Sequence, residues 1–153
     1  MSAPAPLPAA FQALVDDFTA LGPQDRLQLL LELSRELPPL PAHLADHPEL
    51  LEPVPECQSP IFLHVEVEGT GAEAGVALHF SAPPEAPTTR GFAAILAEGL
   101  AGLRAAEVAA VPTDVTTRLG LAEVVSPLRL NGMAGMLARV QRQVRQKADL
   151  APR

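Results

Sequence analysis

The run "IFLHVEVEGTGAEAGVALHFS", residues 61–81, decides the fold. Ile61, Leu63, Val65 and Val67 alternate with Phe62, His64, Glu66 and Glu68, the period of two that turns one face of a strand to a core and the other to water. The glycine-rich "GTGAEAG" that follows is a turn, after which Val76, Leu78 and Phe80 alternate against Ala77, His79 and Ser81. Two antiparallel strands are expected, and a third is possible. A hairpin with one apolar face is not stable alone and needs a cover.

The flanking sequence offers that cover as helices. In "FQALVDDFTAL", Phe11, Leu14, Val15, Phe18 and Leu21 share a stripe while Asp16 and Asp17 turn away. Gly22 ends this helix and Pro23 suits the first turn of the next, with Leu27, Leu30, Leu31 and Leu37 at helical spacing, so the pair predicts a helical hairpin. Beyond the strands, Thr88 or Thr89 is expected to cap a helix through "RGFAAILAEGLAGL", with Phe92, Ile95, Leu96, Leu100 and Leu103 in register. Thr113 and Asp114 after Pro112 suggest a short helix ending near Gly120. The last helix is the best marked: Ser126 as N-cap, Pro127 at the first position, and Met133, Met136, Leu137, Val140 and Val144 in a stripe. Arg139, Arg142, Arg145 and Lys147 towards its C-terminal end complement the helix dipole. Helices at both ends around a small antiparallel sheet define an α+β domain, placed at residues 10–147, with an Ala/Pro-rich tail at 1–9 and a short tail at 148–153.

Between the second helix and the first strand, Pro38, Pro39, Pro41, Pro48, Pro53, Pro55 and Pro60 exclude a long helix and a central strand. An extended surface loop is expected there, and a loop of this length in a compact domain is usually functional or disordered; here function is favoured.

Composition limits what that function is. The chain has 153 residues, a formal charge of −7, and five Phe but no Trp or Tyr. Phosphate affinity needs clustered Lys and Arg, and single-strand binding needs aromatic platforms, so nucleic acid is not the expected partner. The start lacks a basic n-region and a long apolar segment, and no apolar run reaches membrane-spanning length, so a cytoplasmic protein is expected. There is no GxSxG, HExxH, P-loop or dinucleotide-binding turn. Four histidines remain: His43 and His47 in the proline-rich loop, His64 and His79 as cross-strand neighbours on the exposed face of the hairpin. Without ligands at suitable spacing, all four read as surface residues, and no metal site is expected.

Cys57 is the only cysteine, which excludes an internal disulfide and leaves a buried apolar thiol or a reactive one. Glu56 and Gln58 flank it, Ser59 follows, and Pro55 and Pro60 bracket the tetrapeptide, a setting that places a thiol near solvent. Glu56 disfavours the thiolate by like-charge repulsion, so activation requires a cation from elsewhere: Arg90, Arg129 or the C-terminal arginines. Arg129 stands out because "SPLRLNGMAGM" puts it in the first turn of a helix, where a cation opposes the dipole. Two further readings stay open: Cys57 as the nucleophile of a hydrolase or peroxidase with His64 or His43 as base, and an interaction protein in which Cys57 only fills space.

"ELSRELPPLP", "ECQSPIFLHVEVE", "TTRGFAAILAEGL" and "SPLRLNGMAGMLARVQRQV", in this order and spacing, resemble the SufE family of sulfur-acceptor proteins, from about residue 10 to residue 147. The CQS motif at the head of a strand and the SPxRxNG motif leading into a basic helix carry the resemblance. It implies an α+β fold similar to IscU-type scaffolds and a carrier with no cofactor that is not itself an enzyme. Such a carrier takes persulfide sulfur from a PLP-dependent SufS-type cysteine desulfurase, stimulates that enzyme, and delivers the sulfur to a SufBCD-type iron–sulfur scaffold; the CsdE relatives serve a different desulfurase. By motif the acceptor is Cys57, and Arg129 is expected near the thiol or at the desulfurase contact. Glu56, Gln58, Ser59, Arg90, Asn131 and Gly132 are expected at the partner contact of a monomer or homodimer. The chain departs from the family pattern at Glu56, where Gly is usual before the cysteine.

Overall fold

The computed structural model describes residues 5–150. Its sheet has three antiparallel strands in the order β1 (Glu52–Pro53), β2 (Phe62–Glu68), β3 (Gly75–Ser81). The β2–β3 register sets Leu63 opposite Phe80 and Val65 opposite Leu78 on the core face, and His64 opposite His79 on the other. The third strand, left open by the sequence, is β1, whose two residues pair with Phe62 and Leu63.

Because β1 is so short, β2 beyond Leu63 would expose unpaired backbone on that side, and such an edge has to be satisfied or covered. The C-terminal helix does both. The Val65 N–H donates to Gln143 Oε1 at 2.9 Å, and Lys147 Nζ donates to the Val65 carbonyl at 2.5 Å. Gln143 Nε2 in turn donates to Glu52 Oε1 at 2.8 Å, tying helix, edge and short strand together.

The helices are α1 (Ala9–Thr19), α2 (Pro23–Ser34), α3 (Ala42–Ala45), α4 (Pro87–Gly99), α5 (Ala105–Ala109), α6 (Val115–Arg118) and α7 (Pro127–Lys147). The expected stripes of α1 and α7 are buried: Phe11, Leu14, Val15 and Phe18 in one, Met133, Met136, Leu137, Val140 and Val144 in the other. α1 and α2 both lean on α4. They can do so because α4 is smooth there: a Cβ at Gly91 would come within 2.6 Å of Leu30, and one at Gly99 within 2.5 Å of the Phe11 ring. The core is aliphatic around three phenylalanines, Phe11, Phe18 and Phe92, each fully buried.

Four expectations need correction. The proline-rich loop is not without structure: it holds α3, β1 and the single 3-10 turns Pro48–Leu50 and Pro55–Cys57. Proline is compatible with the first position of a helix, so Pro48 and Pro55 start one-turn pieces even though they forbid a long one. α4 begins at Pro87 with Ala86 before it, and neither Thr88 nor Thr89 caps it; Thr89 is buried. The sequence reading missed α5, whose first turn is tied by the Arg104 N–H donating to Glu107 Oε1 at 2.9 Å. Finally, His79 is not a surface residue, since its side chain is only 20% exposed. α3 brings His43 over that face of the sheet, and Glu66 stands between the two imidazoles, 3.1 Å from His43 Nε2 and 2.6 Å from His79 Nε2.

Of the expected tails, residues 1–4 and 151–153 lie outside the described part. Within it, Leu7 packs on the core, Arg118 Nη1 donates to the Ala5 carbonyl at 2.5 Å, and Ala148 is fully buried.

Candidate functional site

Residues 54–61, "VPECQSPI", form a closed turn pinned at both ends by buried side chains. Val54 and Ile61 are each 1% exposed, and the Val54 N–H donates to the Ile61 carbonyl at 2.9 Å. Within the turn, the Cys57 N–H donates to the Val54 carbonyl and that of Gln58 to Pro55, each at 3.1 Å. Gln58 has φ +60° and ψ 0°, a left-handed conformation uncommon outside glycine, asparagine and aspartate, which turns the chain back towards β2. Two prolines, two anchors and a left-handed residue therefore hold the cysteine at the head of the strand.

The turn lies on α7, and α7 is shaped to receive it. Ser126 caps the helix, accepting from the Arg129 N–H at 3.3 Å, and so fixes where the following turns of helix face. Gly132 and Gly135, three residues apart on one face, leave a flat strip under the cysteine. A Cβ at Gly132 would stand 3.0 Å from Cys57 Sγ, and one at Gly135 would stand 2.6 Å from Glu56 Oε2. The thiol donates to the Gly132 carbonyl at 3.6 Å.

Ion pairs fasten the same contact. Arg139 Nη1 donates to Glu56 Oε2 at 2.5 Å and to the Gly135 carbonyl at 3.2 Å, while its Nε lies 3.3 Å from Glu52 Oε2. Arg142 also pairs with Glu52. The Arg139 hydrogen bond holds the Glu56 carboxyl below its usual value. Partial burial works to raise that of Glu52, but hydrogen bonds from Gln143 and Arg142 and the two guanidinium charges outweigh it and leave it lowered.

These surroundings make Cys57 a poor nucleophile where it sits. Burial pushes its thiol up to about 11, Glu56 adds to the rise, and Arg139 only partly offsets it. At that value the thiolate is on the order of one molecule in ten thousand at pH 7. The turn nevertheless borders a surface cavity of about 260 Å³, lined by Glu56, Cys57, Gln58, Ser59, Ser126, Leu128 and Arg129. Leu128, 55% exposed, is one of two large hydrophobic side chains that the described residues leave at the surface.

Of the residues singled out from sequence, Glu56, Cys57, Gln58, Ser59, Arg129 and Gly132 come together here. Asn131 is exposed next to them on α7. Arg90 does not join: its guanidinium donates to the carbonyls of Ser34, Ala82 and Leu37 and lines a separate cavity of about 540 Å³ between α2 and α4. No histidine lines the Cys57 cavity. His43 is engaged with Glu66, and His64 Nδ1 lies 3.1 Å from the Leu50 carbonyl. Burial and the Lys147 charge also lower the pKa of His64. The sequence reading missed the roles of Gly135 and Arg139. It explains Arg139 by the helix dipole and counts it only among the C-terminal arginines that could supply a cation for Cys57; the pairing it missed is with Glu56, the carboxylate beside the thiol.

The site is thus an α+β domain's single cysteine, held on a proline-bracketed turn and sharing with Arg129 a cavity that no histidine lines. The chain belongs to the SufE family: residues 12–144 match the model described as "Fe-S metabolism associated domain". It is 57% identical over 146 residues to an uncharacterised SufE-like protein of Mycobacterium tuberculosis strain H37Rv, covering 95% of this chain and 99% of that one. It is 26% identical over 131 residues to the cysteine desulfuration protein SufE of Plasmodium vivax, covering 86% of this chain and 48% of that one. The solution structure of a hypothetical protein from Thermus thermophilus superposes with a TM-score of 0.79 at 39% identity, covering 93% of this chain and 98% of that one. Membership assigns the chain a sulfur-transfer role in iron–sulfur metabolism. Among the described residues, no helix is long and apolar enough to cross a membrane.

Proposed function

We propose that the protein carries sulfane sulfur on Cys57, accepting it from the persulfide of a PLP-dependent cysteine desulfurase of the SufS type, raising that enzyme's turnover, and handing the sulfur to a SufBCD-type scaffold in the cytoplasm. The observation that carries this reading is the placement of Cys57 in a surface cavity shared with Arg129 and the exposed Leu128, with no histidine to make it a hydrolytic or peroxidatic nucleophile. The name of the Plasmodium relative, a cysteine desulfuration protein, points to the same donor.

The transfer balances without a redox partner. The Cys57 thiolate attacks the outer sulfur of the donor's persulfide; its lone pair forms the new S–S bond, and the electrons of the old S–S bond leave with the donor's inner sulfur. The proton lost by Cys57 is equivalent to the one the departing thiolate takes up, so thiol and persulfide are exchanged. Arg129, beside the same cavity, stabilises the anionic sulfurs during the displacement. The absence of a second cysteine keeps the product from being discharged as an internal disulfide.

Mixing the protein with a cysteine desulfurase, PLP and cysteine, and weighing it intact, tests the reading. One added sulfur on the wild type and none on Cys57→Ser is the expected result. An unchanged mass, together with an unaltered desulfurase rate, overturns it.

A further inference from the structure

We propose that the Glu56–Arg139 pair is a latch on the Cys57 turn, and that a basic side chain on a docking partner opens it by taking Glu56. The inference rests on reading Cys57 as the reactive thiol, but its test does not involve a sulfur donor.

Closed, the latch does two things. It presses the Glu56 carboxylate over Gly135 and thereby keeps the thiol down on the Gly132 carbonyl. It also balances charge: Glu52 and Glu56 face Arg139 and Arg142, two carboxylates against two guanidiniums, so the patch beside the sulfur is neutral.

The two members of the latch are not equivalent. Arg139 is held twice more, by Glu52 and by the Gly135 carbonyl, and its side chain is 22% exposed. Glu56 has Arg139 as its side-chain partner and is 31% exposed at the rim of the cavity. A competitor therefore removes Glu56 and leaves Arg139 in place. What remains is Glu52 with Arg139 and Arg142, a patch with one net positive charge, at the moment the turn is released. The same event that exposes the thiol converts its surroundings from ones that oppose the thiolate to ones that favour it. The occupant that fits is a lysine or arginine near the partner's sulfur site, because an anionic group that displaced Glu56 from Arg139 would bring its own negative charge and leave the patch neutral.

The probe is iodoacetamide, which is neutral and reacts with the thiolate, applied to the folded protein across a pH series. Charged groups around the sulfur are Glu56 on the turn, Glu52 on β1, and Arg129, Arg139 and Arg142 on α7. Glu56→Gln is expected to speed alkylation at pH 8 by about five- to tenfold and to move the midpoint of the pH profile downward. Gly135→Ala, whose methyl would meet the Glu56 carboxylate, opens the pair with every charge kept and is expected to speed the reaction too. Arg139→Gln also frees the turn, yet leaves Glu56 without its cation, so its midpoint stays at or above that of the wild type. Wild-type rates in both Glu56→Gln and Gly135→Ala overturn the latch. Equal downward shifts in Glu56→Gln and Arg139→Gln overturn its charge-switching half. Because the protein is measured alone, a failure here is distinct from a failure to accept sulfur.

Discussion

Gly132 has no room for a side chain because Cys57 occupies it: a Cβ there would stand 3.0 Å from Sγ and 3.1 Å from the cysteine Cα. The second of these is backbone and cannot swing aside. Gly132→Ala adds helix propensity worth up to ~1 kcal/mol, but overpacking costs ~1–3 kcal/mol. The variant should therefore be less stable by about 1 kcal/mol in urea unfolding, with Cys57 alkylated faster than in the wild type. A slower reaction would show that the turn does not lift off this helix.

Reactivity of the thiol should follow pH with a late midpoint. Burial and Glu56 raise Cys57 to about 11, so the folded protein's alkylation rate should still be well below its maximum at pH 10, whereas the urea-unfolded chain should pass its midpoint near the ordinary value of 9.0. Coincident profiles, folded and unfolded, would contradict the closed turn.

Acid should loosen the carboxylate network. Glu52 and Glu56 are both held below their ordinary 4.5, so the unfolded chain binds protons more readily than the folded one. Their contribution is present above about pH 4.5 and drains away as pH falls through the lowered folded values. The urea midpoint should drop between pH 5 and pH 3, and the drop should be smaller in Arg139→Gln, where that pairing is already gone.

Gln143 is 6% exposed and supplies the acceptor for the Val65 N–H. Gln143→Met keeps the bulk but strands that donor and the Glu52 contact, a loss of about 1–3 kcal/mol. Hydrogen exchange at Val65 should accelerate with it. Exchange as slow as in the wild type would mean that another group satisfies the N–H.

Arg129→Ala, an exposed position in the first turn of α7, should leave the thermal midpoint unchanged or slightly raised, since a cation there opposes the helix dipole. Under the proposed function it lowers sulfur acceptance by Cys57, read as the rate of mass gain. Unimpaired acceptance would remove Arg129 from the site.

The α+β class, the hairpin and both end helices followed from periodicity, because each has one apolar face: the stripe from Met133 to Val144 and the alternation from Ile61 to Val67 can be buried in only one way. Cys57 and Arg129 could be named from local context and motif. What escaped the reading depends on the third dimension. Prolines told where long helices could not go, but not that Pro48 and Pro55 would start single turns. Arg139 sits 83 residues from Glu56, so nothing local connects them, and a cation near a helix C-terminus already had a sufficient explanation. Gly135 carries no local signal, because only the fold sets the Glu56 carboxylate above it. His79 seemed exposed because the alternation says which side of the sheet it is on, not that α3 would shelter that side.

Gln143 and Lys147 take both ladder bonds of Val65, where β2 runs past its two-residue neighbour. At Val65 the flank of the sheet adjoining the cysteine is thus closed to a foreign peptide that would join β2 as an additional strand. A visitor approaching the sulfur along this stretch of β2 meets side chains, so its selection there rests on shape and charge around one turn and not on backbone templating.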